Sequence, residues 1–130
     1  MIESYLDKDE KYTFIDDNQN YIITSKGKLF EVENNNFHRI DTFIFQNTYE
    51  YAVIYDYEKN PYKFYIHDLV FTCFKSSFDS RFFNVVHENG NTLDNRIENL
   101  RVQFIRKDKS FIEKYEDAIN IFLEEDTGLL

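Results

Sequence analysis

The stretch RFFNVVHENGNTLDNRIENLRVQFIRKDKS, residues 81–110, decides how the rest of the chain is read. FFNVVH (82–87) has the aromatic and β-branched content of a strand and ends on His87. ENGN follows as a tight turn with Gly90 at its hinge. LDNRIEN offers one helical turn, and the alternation of LRVQFI (100–105) predicts a returning strand. The connection between the two strands is polar, with Glu88, Asn89, Asn91, Asp94, Asn95, Arg96, Glu98 and Asn99 crowded behind His87. An imidazole at a strand end can take a proton from water when its other nitrogen is oriented by an acceptor. Taken alone, a loop histidine is an ordinary structural residue. Asn95 and Asn99 are likewise ordinary turn and capping residues. Composition and spacing mark a polar site here without specifying its chemistry.

Upstream, short runs rich in β-branched and aromatic residues alternate with turn residues, the pattern of antiparallel hairpins. YTFI (12–15), YIIT (21–24) and KLFEV (28–32) are expected strands, with Gly27 supplying a positive-φ turn. Residues 1–11 are expected to be a loose charged lead-in and ENNNFH (33–38) a polar loop. Two strands are expected between Thr42 and Tyr57, and YKFYI (62–66) resumes after the EKNP turn. In HDLVFTCF (67–74) the period changes: Leu69, Val70, Cys73 and Phe74 form a short helical stripe, with Asp68 as its expected N-cap. Downstream, Phe111, Ile112, Tyr115, Ala118, Ile119, Phe122 and Leu123 recur at helical spacing, so residues 111–123 are expected to be an amphipathic helix. Ser110 and Glu113 have the form of its capping box. The expected class is α+β, antiparallel strands and hairpins followed by a C-terminal amphipathic helix. No repeat or linker divides the chain, so residues 1–130 are read as one compact unit. Within it lie an N-terminal antiparallel β region (12–57) and a second region (62–123).

The chain has 130 residues, 42% of them hydrophobic and 18% aromatic, which excludes a disordered acidic tail. The single Cys73 excludes an internal disulfide and a Cys-rich zinc module, and reads as a small buried hydrophobe. No apolar run reaches membrane-spanning length, and MIESYLDKDEKY has neither the basic nor the apolar part of a signal peptide. The expected setting is intracellular, cytoplasmic or nuclear, including that of a virus-infected cell. The net charge of −9 disfavours a nucleic-acid binder that uses its whole surface. The charge is uneven, however. Residues 96–109 hold five basic side chains against two acidic ones, a local +3, and the other 116 residues carry −12.

VVHENGNTLDNRIENL resembles the core motif of the HNH endonuclease family, in the homing-endonuclease-like branch common in phages and other viruses. The match rests on His87, Gly90, Asn91, Asn95, Arg96, Asn99 and Leu100 at the family spacing. It extends upstream, where His67, Leu69 and Val70 match a His-x-Leu-Val pattern that commonly precedes the motif. Tyr21, Ile23, Ser25 and Gly27 partly resemble the small module often fused N-terminally to these nucleases. The resemblance implies a ββα unit that holds Mg²⁺ or another divalent metal against the scissile phosphate of double-stranded DNA. It further implies His87 as general base, Asn99 or a main-chain carbonyl as orienter of its ring, and Asn95 as a tie within the loop. Asp108 would be a metal ligand, with Glu88 as a substitute donor. Arg96, Arg101, Arg106, Lys107 and Lys109 would contact the nucleic acid. Two positions depart: Val86 stands where the family has Asn, Asp or His, and valine offers a metal no lone pair, while Asn89 stands where the turn usually has Asp.

Three functions are compatible with these residues. The first is a divalent-metal-dependent endonuclease, or nickase, of the HNH type. The second is a catalytically inactive, acidic HNH derivative that binds a basic protein partner or mimics nucleic acid, a reading motivated by Val86 and the net charge. The third is a homo-oligomer joined through exposed Phe and Tyr.

Overall fold

Asparagine tolerates left-handed backbone better than other side-chain-bearing residues, and this chain uses it to close hairpins. In the computed structural model, which describes residues 2–105, 113 and 116, Asn34 and Asn35 take φ of 52° and 63°. They join β3 (Leu29–Glu33) to β4 (Asn36–Arg39), with Glu33 opposite Asn36. The expected polar loop at 33–38 is therefore a two-residue turn followed by a strand. With β1 (Tyr12–Phe14) and β2 (Tyr21–Thr24), these strands form a four-stranded antiparallel sheet in the order β1-β2-β3-β4.

The lead-in is also structured, in contrast to expectation. A 3-10 turn, Ile2–Tyr5, buries Ile2 against Ile22 and Phe30. The carboxylate of Glu10 is fully buried and 3.0 Å from Lys28 Nζ, so its charge is partnered. Apolar contacts and several ion pairs, among them Lys26 with Asp7 and Asp9, pin a segment whose sequence is mostly charged.

A second antiparallel sheet has the order β5 (Phe43–Phe45), β6 (Tyr49–Tyr55), β7 (Pro61–Tyr65). Strand β7 runs straight into helix α1 (Ile66–Phe74). Because the strand leaves no intervening residue, the N-cap is Tyr65, which makes no side-chain cap bond, and Asp68 lies inside the first turn instead of capping it. The helix buries Ile66, His67, Leu69, Val70 and Phe71. Strands β8 (Phe83–His87) and β9 (Leu100–Phe104) form an antiparallel pair with His87 opposite Leu100.

One core spans these layers. Ile23 and Leu29 of the first sheet, Ala52 and Ile54 of the second, Ile66 and Phe71 of α1, and Val85 and Val102 of the β8–β9 pair belong to a single buried cluster. Gly27 lets the first sheet approach closely. Its φ is +87°, and a Cβ there would stand 3.0 Å from Ile66 Cγ2 and 3.2 Å from Asn95 Cβ. The same turn receives Ile97 N–H on the carbonyl of Ser25 at 2.8 Å. Among the described residues no helix is long and apolar enough to cross a membrane. The expected 111–123 helix lies outside the described residues, except that Glu113 and Glu116 are helical and exposed.

Candidate functional site

His87 closes β8, and the loop that follows it is built on Asn99. The Asn99 amide accepts from Asn89 N–H at 2.9 Å and donates to Asn89 Oδ1 at 3.0 Å and to the Asp94 carbonyl at 2.9 Å. These three bonds replace ladder bonds that a loop cannot make, which accounts for an amide buried to 5% exposure. Arg96 grips Asp94 through two bonds of 2.8 Å, and that guanidinium holds the Asp94 carboxyl down at about 2.

The ring of His87 is held by Asn95. Asn95 Oδ1 lies 2.8 Å from His87 Nε2, and Asn95 Nδ2 donates to Glu50 Oε1 at 2.9 Å. Thr42 Oγ1 in turn donates to Glu50 Oε2 at 2.6 Å. A carboxylate can only accept, so Glu50 turns the amide's NH₂ toward itself and its oxygen toward the imidazole. His87 therefore carries its proton on Nε2, and Nδ1 is left as the basic nitrogen. Relative to the sequence expectation the two asparagines exchange tasks: Asn95 orients the ring, and Asn99 ties the loop.

Around this pair stand residues that the motif does not contain. The His67 ring meets that of His87 edge to face at 5.1 Å and stacks on Tyr65 at 5.3 Å, while Tyr49 lies 5.3 Å from His67 and 6.3 Å from His87. Burial, and then the neighbouring His87, keeps His67 low, at about 4. Asp68 Oδ1 is 3.3 Å from His67 Nε2, and burial pushes its carboxyl up to about 6 against the opposing pull of His87. His67 Nδ1 is buried and has no hydrogen-bond partner among the described residues. His67 was marked in the sequence only by the resemblance, as the first residue of the His-x-Leu-Val pattern. Glu50 and Asp68 carried no signal as site residues.

Other expected site residues are dispersed or lie outside the described part. Glu88 is exposed, its main-chain N–H donating to the Asn99 carbonyl. Arg101 is exposed on β9, opposite Val86. Arg96 is committed to Asp94 inside its own loop. Arg106, Lys107, Asp108 and Lys109 lie outside the described residues. Among the described residues no group of three His, Cys, Asp or Glu side chains is placed to hold a metal ion. The described donors do not complete the ligand set that the resemblance implies: Val86 has no lone pair, Glu88 is exposed, and Asp108 lies outside the described residues.

These elements make an α+β fold similar to that of an HNH homing endonuclease. The solved structure of the HNH homing endonuclease I-HmuI, described for its DNA binding and cleavage, matches with a TM-score of 0.61 and 18% identity, over 92% of this chain. The chain spans 60% of the length of that protein. At such identity the likeness shows the fold. No protein-family model matches the sequence, and no curated protein matches it.

Proposed function

We propose that this chain is an acidic, HNH-derived protein that binds a basic protein partner and does not cleave nucleic acid. The observation that carries the reading is the make-up of the His87 pocket. Its contacts include Asn95, His67 and Tyr49, its strand neighbour is Val86, and among the described residues no group of three His, Cys, Asp or Glu side chains is placed to hold a metal ion. The charge agrees, since the −12 outside residues 96–109 repels phosphate and attracts a polycation. The test is plasmid nicking in Mg²⁺ and in Mn²⁺, run beside binding of a basic peptide and of duplex DNA. No nicking, with peptide bound in a salt-sensitive way, is the expected result. Divalent-metal-dependent nicking that vanishes in His87→Ala overturns it.

A second reading, hydrolysis of double-stranded DNA with His87 as general base, is favoured by one observation. The Glu50–Asn95–His87 chain leaves Nδ1 of an oriented ring free of its proton, as a base requires. In that reading Asp108 would supply the hard-oxygen ligand.

A further inference from the structure

Away from His87, the first and second sheets leave a groove between them. It encloses about 580 Å³, within the range of roughly 300–1,000 Å³ found for ligand sites. The two sides are joined across it by Tyr21, whose hydroxyl donates to the Tyr55 carbonyl at 3.1 Å. Tyr21, Tyr57, Tyr62 and Phe64 supply aromatic rings, and Asp16, Glu31, Glu33 and Asp56 supply carboxylates; among the described residues no lysine or arginine lines it. We propose that this groove receives an arginine side chain from a basic segment of the protein partner, with the guanidinium against the tyrosine faces and the carboxylates around it.

The aromatic walls, more than the acids, make the groove a site. Tyr57 is 92% exposed and Tyr62 49%, a large ring area for a small protein to leave in water. The opposite face of the same sheet shows how this chain treats such rings when a cation is at hand. There Lys63 Nζ lies 4.6 Å from the centroid of Tyr51, 4.9 Å from Tyr65 and 5.4 Å from Phe45. Strand alternation puts Lys63 on that face and leaves Tyr62 and Phe64 on the groove face, opposite Ile54 and Ala52. Among the described residues no lysine or arginine is stacked on Tyr55, Tyr57, Tyr62 or Phe64.

The groove's charge is persistent. Asp56 accepts main-chain bonds from Glu58 and Asn60, which hold its carboxyl below the ordinary range. Burial pushes the Tyr21 phenol up, and the carboxylates of Glu31 and Asp16 push it the same way. The carboxylates of Asp16, Glu31, Glu33 and Asp56 give the groove a negative field, which favours a cation. A flat guanidinium uses both features, stacking on rings while donating to carboxylates.

This inference rests on the basic-partner reading, and one experiment separates the two. The full chain is titrated with hexa-arginine and with hexaglutamate while its amide NMR signals are followed. Hexa-arginine is expected to shift Tyr21, Glu31, Tyr57 and Phe64 selectively. Tyr57→Ala, on an exposed ring that leaves the fold intact, and Glu31→Gln are each expected to weaken binding about tenfold. Glu3→Gln, outside the groove, is expected to leave it unchanged. Binding of hexa-arginine that ignores Tyr57→Ala and Glu31→Gln overturns the groove while the basic-partner reading stands. Absence of hexa-arginine binding overturns both, and groove shifts caused by single-stranded DNA instead overturn the choice of ligand.

Discussion

Asn95 holds His87 from within its own loop, with 2.8 Å between Oδ1 and Nε2, and is itself held by Glu50 from a strand 45 residues earlier. The bond fixes the tautomer of the ring and couples the β8–β9 pair to the second sheet. Its value to the fold and its value to the ring's chemistry are separable by substitution.

Asn95→Ala removes an amide that is 3% exposed and leaves the Glu50 carboxylate without its NH₂ donor. The expected loss is about 1–3 kcal/mol of stability, read by urea unfolding. The imidazole nitrogen shifts of His87 are expected to move from a single Nε2–H form toward a tautomer mixture. Unchanged nitrogen shifts would show that Asn95 does not orient the ring.

Asp68 and His67 should respond to pH in opposite directions. The Asp68 carboxyl rises from 3.8 to about 6 on folding, so the folded state binds more protons between these values and stability falls as pH rises through that window. His67 drops from 6.5 to about 4, so the folded state binds fewer protons and stability rises across the interval from 4 to 6.5. The two slopes largely cancel in the parent protein. Unfolding free energy measured from pH 4 to 7 is expected to climb with pH in Asp68→Asn and to decline in His67→Phe.

Two glycines with positive φ should differ in cost. Gly90→Ala, at φ +78° in open space, is expected to lose only the left-handed penalty, about 1–2 kcal/mol. Gly27→Ala adds a clash with Ile66 and Asn95 to the same penalty and is expected to lose more, about 2–4 kcal/mol. It should also perturb the His87 signals, which Gly90→Ala should not. Equal melting curves for the two variants would contradict this.

Arg96→Ala tests whether that guanidinium serves its loop. The pair is largely in solvent, so the expected destabilisation is small. The Asp94 carboxyl should titrate well above about 2, moving toward its ordinary 3.8, when followed by carboxyl NMR. Duplex affinity that falls uniformly with no change in the Asp94 titration would instead make Arg96 a phosphate contact.

Much of the local structure was legible because it depends on neighbours in the chain. Gly27 and Gly90 take positive φ at turns expected of them, whereas Asn34–Asn35 close a hairpin inside a stretch expected to be a polar loop. The polar loop behind His87 was legible for the same reason, since Asn89, Asn91, Asp94 and Asn99 bond to groups within ten residues. Misreadings fell where a distant partner overrode local character. The charged N-terminal segment is pinned by Phe30 and Lys28, and helix α1 starts early because β7 feeds it directly.

What the sequence by itself determined is therefore most of the strands, though not β4, and the identity of His87 as the residue around which polar groups gather. Only the tertiary structure decided which groups reach that ring. Glu50 arrives from β6, His67 and Asp68 from α1, and the tyrosine groove forms where two separate sheets meet. The physical reason is that periodicity reports which face of an element is buried, whereas the partner across that face is chosen by packing among elements far apart in the chain.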